Sequence, residues 1–388
     1  MKTVVFLLCS PLSERDRLRF GDERWIAAGW RSIYFDCTPL LRPDFDRQFT
    51  SLGGVRVSKK NTNVIRLQTK AEVFNALGNL KGSRVCFVDL LSNSFLEDSI
   101  RLKAKKKGPL IQIRLSSLPF RDVNKPSARV RALNLLKRPG RAAYHLSRKW
   151  ALRPVYPDLL AVSGTAVFDT RDAKYSALVF AHNLDYDKVL ETKTKKEKAG
   201  RGKIVFVDTN EAYHSDYVAL GVDPHVTPER YFEIMNRGLG IIEQKLGKDV
   251  IIAAHPRAEY SSKPFTFKFP VFYGTTKELI RACDVVISHG STALNWAILD
   301  NKPIILVLTE EMREVRFAGY TAGFSDCLGI EVLFMDQISE LAPQLTKEQL
   351  NFVDRSRYSE YTGQFIKYPG SPEKPSWDIV IEAVESFQ

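Results

Sequence analysis

The chain is poor in several things that define whole classes of protein. Its 388 residues include only five cysteines (Cys9, Cys37, Cys86, Cys283 and Cys327), an odd number with no C-x-x-C pair. That usage argues against a disulfide framework and a cysteine zinc site, and it fits a reducing cytoplasm. Long hydrophobic runs are missing too. Val4–Cys9 and Ile304–Leu308 are typical of its apolar stretches, far short of the roughly 20 residues a spanning helix needs. The opening MKTVVFLLCSPLSERD has a short apolar part followed by charges rather than a small-residue cleavage site. It is expected to be a first buried strand rather than a secretory signal. There is no low-complexity tract and no internal repeat of roughly 20–50 residues.

What is present is ordinary in bulk and unusual in one place. With 44% hydrophobic and 26% charged residues the chain has a globular composition, and its length suggests two domains. The net charge is +12, but residues 101–153 alone hold 16 Lys or Arg against one acid, Asp122. That belt carries +15, which leaves a net of −3 for the rest of the +12 chain. A basic belt on a near-neutral body implies an anionic partner: nucleic acid, anionic lipid or a charged substrate.

Short apolar runs alternate with helical periodicity, the pattern of an α/β fold. Strands are expected at Thr3–Leu8, Ser32–Phe35, Asn63–Arg66, Arg84–Leu90, Leu110–Arg114 and Asp158–Val162. Helices are expected at Lys70–Leu77 and Ser94–Lys105, and a long basic helix over Ala128–Leu152. The polar stretch Leu190–Lys203 then reads as an exposed connection. A second series follows, with strands at Lys203–Asp208, Asp249–Ala254, Asp284–Ser288, Pro303–Leu308 and Glu331–Phe334. Its helices are Thr227–Leu246, Thr275–Cys283, Ser291–Leu299, Thr346–Arg355 and Pro375–Ser386. Thr227 is the cap of its helix and Pro228 its first residue.

Three strand ends in the second series carry chemistry. In DVVISHGSTALNWAILDNKPIIL a buried strand runs into Ser288, His289 and Gly290, and Ser291 and Thr292 open a helix. Free amides, the helix dipole and two hydroxyls make such a turn a candidate phosphate site, although a serine there is more often a plain helix cap. In VIIAAHPR a strand runs into His255, Pro256 and Arg257, an imidazole and a guanidinium suited to phosphate. In KIVFVDTNEAYHSDY, Asp208 ends the first strand of the series, where a carboxylate is placed to act as a general base. Asp216 reads better as a helix cap, and His214 with Asp216 lacks the third ligand a metal needs.

Together VFVD, AAHPR and SHGSTA resemble the GT-B glycosyltransferases of bacterial surface polysaccharide synthesis. The likeness is greatest to capsule and lipopolysaccharide enzymes of the CMP-sugar type, the polysialyltransferases and Kdo transferases. FLLCSPLSERDRLRFG and VFAHNLDYDKVLE extend it to the first half. The polysialyltransferase acidic motif ends in glycine, whereas Asp208 is followed by Thr209 and Asn210. A weaker likeness to the glycerophosphate polymerases of teichoic acid synthesis shares the His-Pro pair and the Ser/Thr turn.

The resemblance implies two Rossmann-like domains facing a cleft. Residues 1–190 would form the acceptor side with the belt, 200–370 the nucleotide-sugar domain, and 371–388 a helix crossing back to the first. It implies that His255, Pro256, Arg257, Ser288, His289, Gly290, Ser291 and Thr292 hold the nucleotide, with Asp208 and His255 catalytic. With no Asp-x-Asp pair read as metal-binding, the expected reaction is metal-independent, needs no cofactor and inverts the anomeric carbon. Arg138, Arg141, Arg148, Lys149 and Trp150 of the belt, basic residues with interleaved apolar ones, would meet a glycan or lipid-linked acceptor, or an anionic membrane. A solvated helix face is the plainer reading of the belt. No nucleic-acid motif is present, and nucleic acid is not the expected partner. The expected setting is cytoplasmic, peripheral at the inner membrane. The rivals are a CDP-alcohol phosphotransferase of teichoic-acid type and a non-catalytic polysaccharide assembly protein.

Overall fold

A computed structural model describes residues 2–50, 56–57, 63–80, 84–123, 155–192, 202–214, 217, 224–313 and 317–387. The chain forms two compact units. The first comprises Met1–Leu115, Pro126–Leu184 and Gly370–Gln388, the second Ser116–Lys125 and Asp185–Pro369.

The first unit is built on seven parallel strands: β1 (Lys2–Leu8), β2 (Trp30–Asp36), β3 (Val64–Arg66), β4 (Arg84–Leu90), β5 (Leu110–Arg114), β6 (Leu159–Val162) and β7 (Ala177–Phe180). Their order is β3-β2-β1-β4-β5-β6-β7. The unbroken apolar run of β1 is explained by burial on both faces, the usual state of a parallel strand. Val4, Phe6 and Leu8 enter one core with Trp25, Tyr34 and Trp377. Val5 and Leu7 enter the other with Phe35, Phe87 and Ile100.

The helix Ser376–Ser386 completes the first of these cores through Trp377, Val380, Ile381 and Val384. Arg84 donates to the carbonyls of Val384 and Phe387 at 2.7 and 2.8 Å. Trp377 donates its indole hydrogen to the carbonyl of Arg19 at 2.7 Å. Its ring lies so close to Gly21 that a Cβ there would stand 2.9 Å from the ring's Cδ2, and the backbone at Gly21 has φ +68°. Only glycine satisfies both demands.

The second unit has six parallel strands: β8 (Ile204–Val207), β9 (Val250–Ala253), β10 (Val271–Phe272), β11 (Val285–Ser288), β12 (Ile304–Leu308) and β13 (Val332–Phe334). Their order is β10-β9-β8-β11-β12-β13. The long helix Pro228–Leu246 starts at a Thr227 cap and stops at Gly247 with φ 66°. Its apolar face (Tyr231, Ile234, Met235, Leu239, Ile242 and Leu246) lies in the core with Phe206, Ile252 and Ile287.

The segment Ser116–Lys125 belongs to the second unit, contrary to the expected boundaries, because glycines receive it. On the helix Ala318–Leu328, a Cβ at Gly323 would stand 2.5 Å from the Pro119 carbonyl. A Cβ at Gly319 would stand 2.6 Å from the Arg121 oxygen. Arg121 donates its amide hydrogen to the Gly319 carbonyl at 2.9 Å and pairs with Asp326 at 2.7 Å. Phe120 meets Tyr320 edge-on with ring centres 5.1 Å apart.

Most expected elements are found within a residue or two. The strands β7 and β10 and several helices, among them Glu14–Arg19, Thr170–Tyr175 and Ala318–Leu328, have no counterpart in the sequence reading. The expected helix Thr346–Arg355 is instead two helices, Lys347–Leu350 and Arg355–Tyr361. The helix after Gly290 starts only at Leu294 and has six residues. The basic helix expected over 128–152 lies outside the described residues, as do Arg138, Arg141, Arg148, Lys149, Trp150 and Asp216. Among the described residues no helix is long and apolar enough to cross a membrane.

Candidate functional site

A parallel sheet with this strand order has a topological switch point where the connections change direction, and ligands gather there at the carboxyl strand ends. In the second unit that point lies between β8 and β11, with Ser288 registered against Val207. Beside it, on β9, Ala253 is registered against Val207. The tips of the three strands therefore bring Asp208, His255 and the turn Ser288-His289-Gly290 to one edge of one sheet.

Asp208 is 2% exposed. One carboxylate oxygen accepts the Asn210 amide at 2.7 Å. The other accepts the His255 amide at 3.2 Å and the Tyr260 hydroxyl at 2.6 Å. Burial raises its pKa, against the three hydrogen bonds. Asp208, expected as a general base facing a cleft, is found as a buried carboxylate. Both oxygens are occupied and enclosed, and the group ties the β9 tip and the loop after β8 together. Asn210, which adopts φ 56° in the left-handed region, is held there by that carboxylate.

His255 is half-buried, and Pro256 and Arg257 beside it are exposed. The Arg257 amide donates to His255 Nδ1 at 3.2 Å. A neutral His255 ring therefore carries its proton on Nε2. The His214 ring stands beside it, with ring centres 5.4 Å apart, and also packs on Phe317 at 6.2 Å.

His289 also differs from expectation. Its ring points into the core, donating from Nδ1 to the Val307 carbonyl at 2.7 Å and accepting the Tyr231 hydroxyl on Nε2 at 2.9 Å. Burial pulls its pKa down to about 4. A neutral ring with both nitrogens engaged has nothing to offer a phosphate. Ser288 is buried as well, with its hydroxyl accepting the Gly290 amide at 3.2 Å and donating to the Val207 carbonyl at 3.4 Å.

Gly290 itself has φ +113°, and a Cβ there would stand 3.1 Å from the Thr321 nitrogen. Thr321 donates its hydroxyl to the His289 carbonyl. The Ser291 hydroxyl accepts the Ala293 amide at 3.3 Å. The amides of Leu294, Asn295 and Trp296 turn back to the carbonyls of Ser291, Thr292 and Ala293, each at 3.1 Å. The expected helix-dipole site at Ser291-Thr292 is thus corrected to a tight turn leading into a short helix. Ser291 is half-buried and Thr292 exposed, and among the described residues no acceptor meets their two amides.

Beneath these tips lies a buried acid–tyrosine network that sequence reasoning did not foresee. Glu211 accepts the Tyr217 hydroxyl, and burial raises its pKa to about 7, with Asp208 adding to the rise. Tyr260 is pushed well up by burial and by Asp208. Among the described residues no three His, Cys, Asp or Glu side chains converge to hold a metal ion.

No protein-family model matches the sequence, and no curated protein matches it at a significant level. Solved structures do match. MurG of Acinetobacter baumannii is 10% identical, covers the whole of both chains and superposes with a TM-score of 0.52. CalG4, the calicheamicin glycosyltransferase, is 15% identical over 98% of each chain, with a TM-score of 0.50. The chain has the GT-B glycosyltransferase fold of two parallel-sheet α/β units.

Proposed function

We propose that the chain is a glycosyltransferase that takes a sugar from a nucleotide-sugar donor bound at the strand tips of the second unit. The observation that carries this reading is the β9 tip. There His255, Pro256 and Arg257 stand at the switch-point edge, with the His255 amide anchored by buried Asp208. The GT-B fold supports it as the setting in which such tips serve sugar transfer.

The residues divide the work as follows. His255 and Arg257 bind the phosphate and stabilise charge as the anomeric carbon–oxygen bond breaks and the electron pair moves to the phosphate. Gly290 lets the chain pass close to the ligand, and the Ser291 and Thr292 amides point donors at it. Asp208 acts as a positioning residue through the His255 amide. The narrower reading, carried by the sequence resemblance, is inverting, metal-independent transfer of Kdo or a nonulosonate from CMP. The acceptor would be a bacterial surface glycan or lipid-linked sugar at the cytoplasmic face of the inner membrane. The belt residues assigned to that acceptor and to the membrane lie outside the described residues.

The test is nucleotide binding, by calorimetry, across CMP, CDP, UDP, GDP and dTDP, each with and without magnesium. Selective binding that His255→Ala abolishes supports the reading, and selectivity for CMP supports the narrower one. CDP preference favours the phosphotransferase. Failure of all five to bind overturns the reading and leaves an assembly protein.

A further inference from the structure

We propose that the outer face of the helices Lys70–Gly78 and Phe95–Lys105 docks on an anionic lipid bilayer. Lysines of the two helix ends meet the headgroup phosphates, and Leu102 sits among the headgroups. The proposal deepens the narrower functional reading, on which it rests for the membrane-held acceptor but not for the face itself.

The two helices connect β3 to β4 and β4 to β5. Val73 and Leu77 of the first, with Ile100 and Ala104 of the second, enter one core with Phe87 and Leu110. At 3.6 residues per turn, Leu102 and Lys106 lie together on the side away from Ile100 and Ala104. Leu102 is 54% exposed and Lys106 is exposed beside it. Lys70 and Lys103 reach the Phe74 ring from the two helices, at 5.2 and 5.9 Å from its centre. Lys107 donates to the carbonyl of Gly78 at 3.2 Å. These contacts join the lysines into one surface across both helices.

The acids nearby are engaged elsewhere. Glu72 accepts the Gln68 amide at 2.8 Å, and buried Glu97 accepts the Ser92 amide at 3.1 Å. Asp98 pairs with Arg101 and Asp158 with Lys105, each at 2.8 Å. Among the described residues no ion pair joins an acid to Lys70, Lys103, Lys106 or Lys107. Unneutralised charges of one sign on one face attract a surface of the other sign.

The make-up of the face favours lipid over nucleic acid. A strand needs free ring faces on which to stack its bases, and two ammonium groups already lie over Phe74. Base edges are read largely by arginine, and the one arginine of the two helices, Arg101, is buried on Asp89. Lysine instead carries a point charge on an aliphatic stem. Such stems lie along apolar surface at headgroup depth while their charges reach phosphate. Leu102 among them supplies an apolar side chain that a bilayer accepts.

The experiment is co-sedimentation of the full chain with vesicles of equal parts phosphatidylglycerol and phosphatidylcholine, and with vesicles of phosphatidylcholine alone. The face predicts binding to the first only, weakened by salt. Lys70→Gln and Lys106→Gln each weaken it about fivefold, the share of one lysine near an anionic surface. Lys70 is the sharper of the two, because it lies outside the basic belt of residues 101–153. Leu102→Ser weakens binding about tenfold, and Lys347→Gln, in the second unit, changes nothing. An unaffected Lys70→Gln, or a Lys347→Gln that loses as much, overturns the face in favour of net charge alone. An unaffected Leu102→Ser overturns it too, as does equal binding to both kinds of vesicle. Binding of an RNA strand with this lysine dependence, without binding to vesicles, replaces the lipid by nucleic acid and overturns the proposal. Should Leu102→Ser fold poorly, Leu102→Trp decides: its added emission moves to the blue with anionic vesicles, and unmoved emission overturns the proposal. Nucleotide calorimetry reads the second unit separately, so failure of the face and failure of the donor site are told apart.

Discussion

Tyr260 donates its hydroxyl to Asp208 across 2.6 Å, on the same carboxylate oxygen that receives the backbone amide of His255. The tyrosine is thereby coupled to the backbone of His255 through an acid that is only 2% exposed.

Asp208→Asn tests that coupling. An amide offers one acceptor oxygen where the carboxylate offers two, so one of the three donors loses its partner. The expected cost is about 1–3 kcal/mol of stability, with weaker nucleotide binding. Chemical denaturation and calorimetry read the two effects. A variant with full stability and full affinity but no turnover would restore Asp208 as the base.

Gly290→Ala places a methyl group against the Thr321 backbone at a φ that side chains avoid. We expect roughly 1–3 kcal/mol of destabilisation and reduced nucleotide affinity. Gly240→Ala, with nothing within 4 Å of its Cβ, is the control and gains about 0.5–1 kcal/mol from helix propensity.

His289 and Glu211 give opposing pH dependences. His289 has its pKa lowered from 6.5 to about 4. The unfolded chain therefore holds the extra proton between these values, and stability falls as pH drops through that window. Glu211 has its pKa raised from 4.5 to about 7. There the folded chain holds the extra proton, and stability falls as pH rises from 4.5 to 7. Each effect is on the order of 3 kcal/mol at most. They largely offset each other, so removing one exposes the other. Glu211→Gln should leave a protein that loses stability on acidification below about pH 6.5, and His289→Gln one that loses it as pH rises towards 7. Urea titrations from pH 4.5 to 7 measure both slopes, and parallel slopes in the two variants would contradict the assignment.

Gly323→Val forces the backbone of Pro119 away from its helix. The expected destabilisation is about 1–3 kcal/mol, together with faster proteolysis within Ser116–Val123. An unchanged cleavage rate would show that the segment does not depend on the glycine pair.

Much of this is legible in the sequence, and the misses have common causes. β8, β9 and β11 announce themselves as short apolar runs ending in polar residues. β7 and β10 do not, because Phe180 and Phe272 lie exposed at sheet edges and neither run looks buried. Side-chain direction was the harder matter, yet alternation along a strand held the answer. Ile204 and Phe206 face one core, and Asp208 continues their parity. Val285 and Ile287 face that core, and His289 continues theirs. His255 instead continues Ile251 and Ala253, which are outside that cluster. The same rule separates the two buried groups from the half-buried histidine. No local pattern placed His214 beside His255, because that contact joins two loops.

The anchorage of Trp377 to Arg19, 358 positions apart in sequence, sets the order of events during synthesis. A nascent chain emerges with Phe6, Trp25 and Tyr34 already made and their covering helix not yet translated. The second unit, by contrast, has every strand it needs before Gly370 is reached. The half that begins first must finish last, with that apolar face uncovered meanwhile. A short deletion at the carboxyl end would therefore be felt as failed maturation of the amino-terminal half.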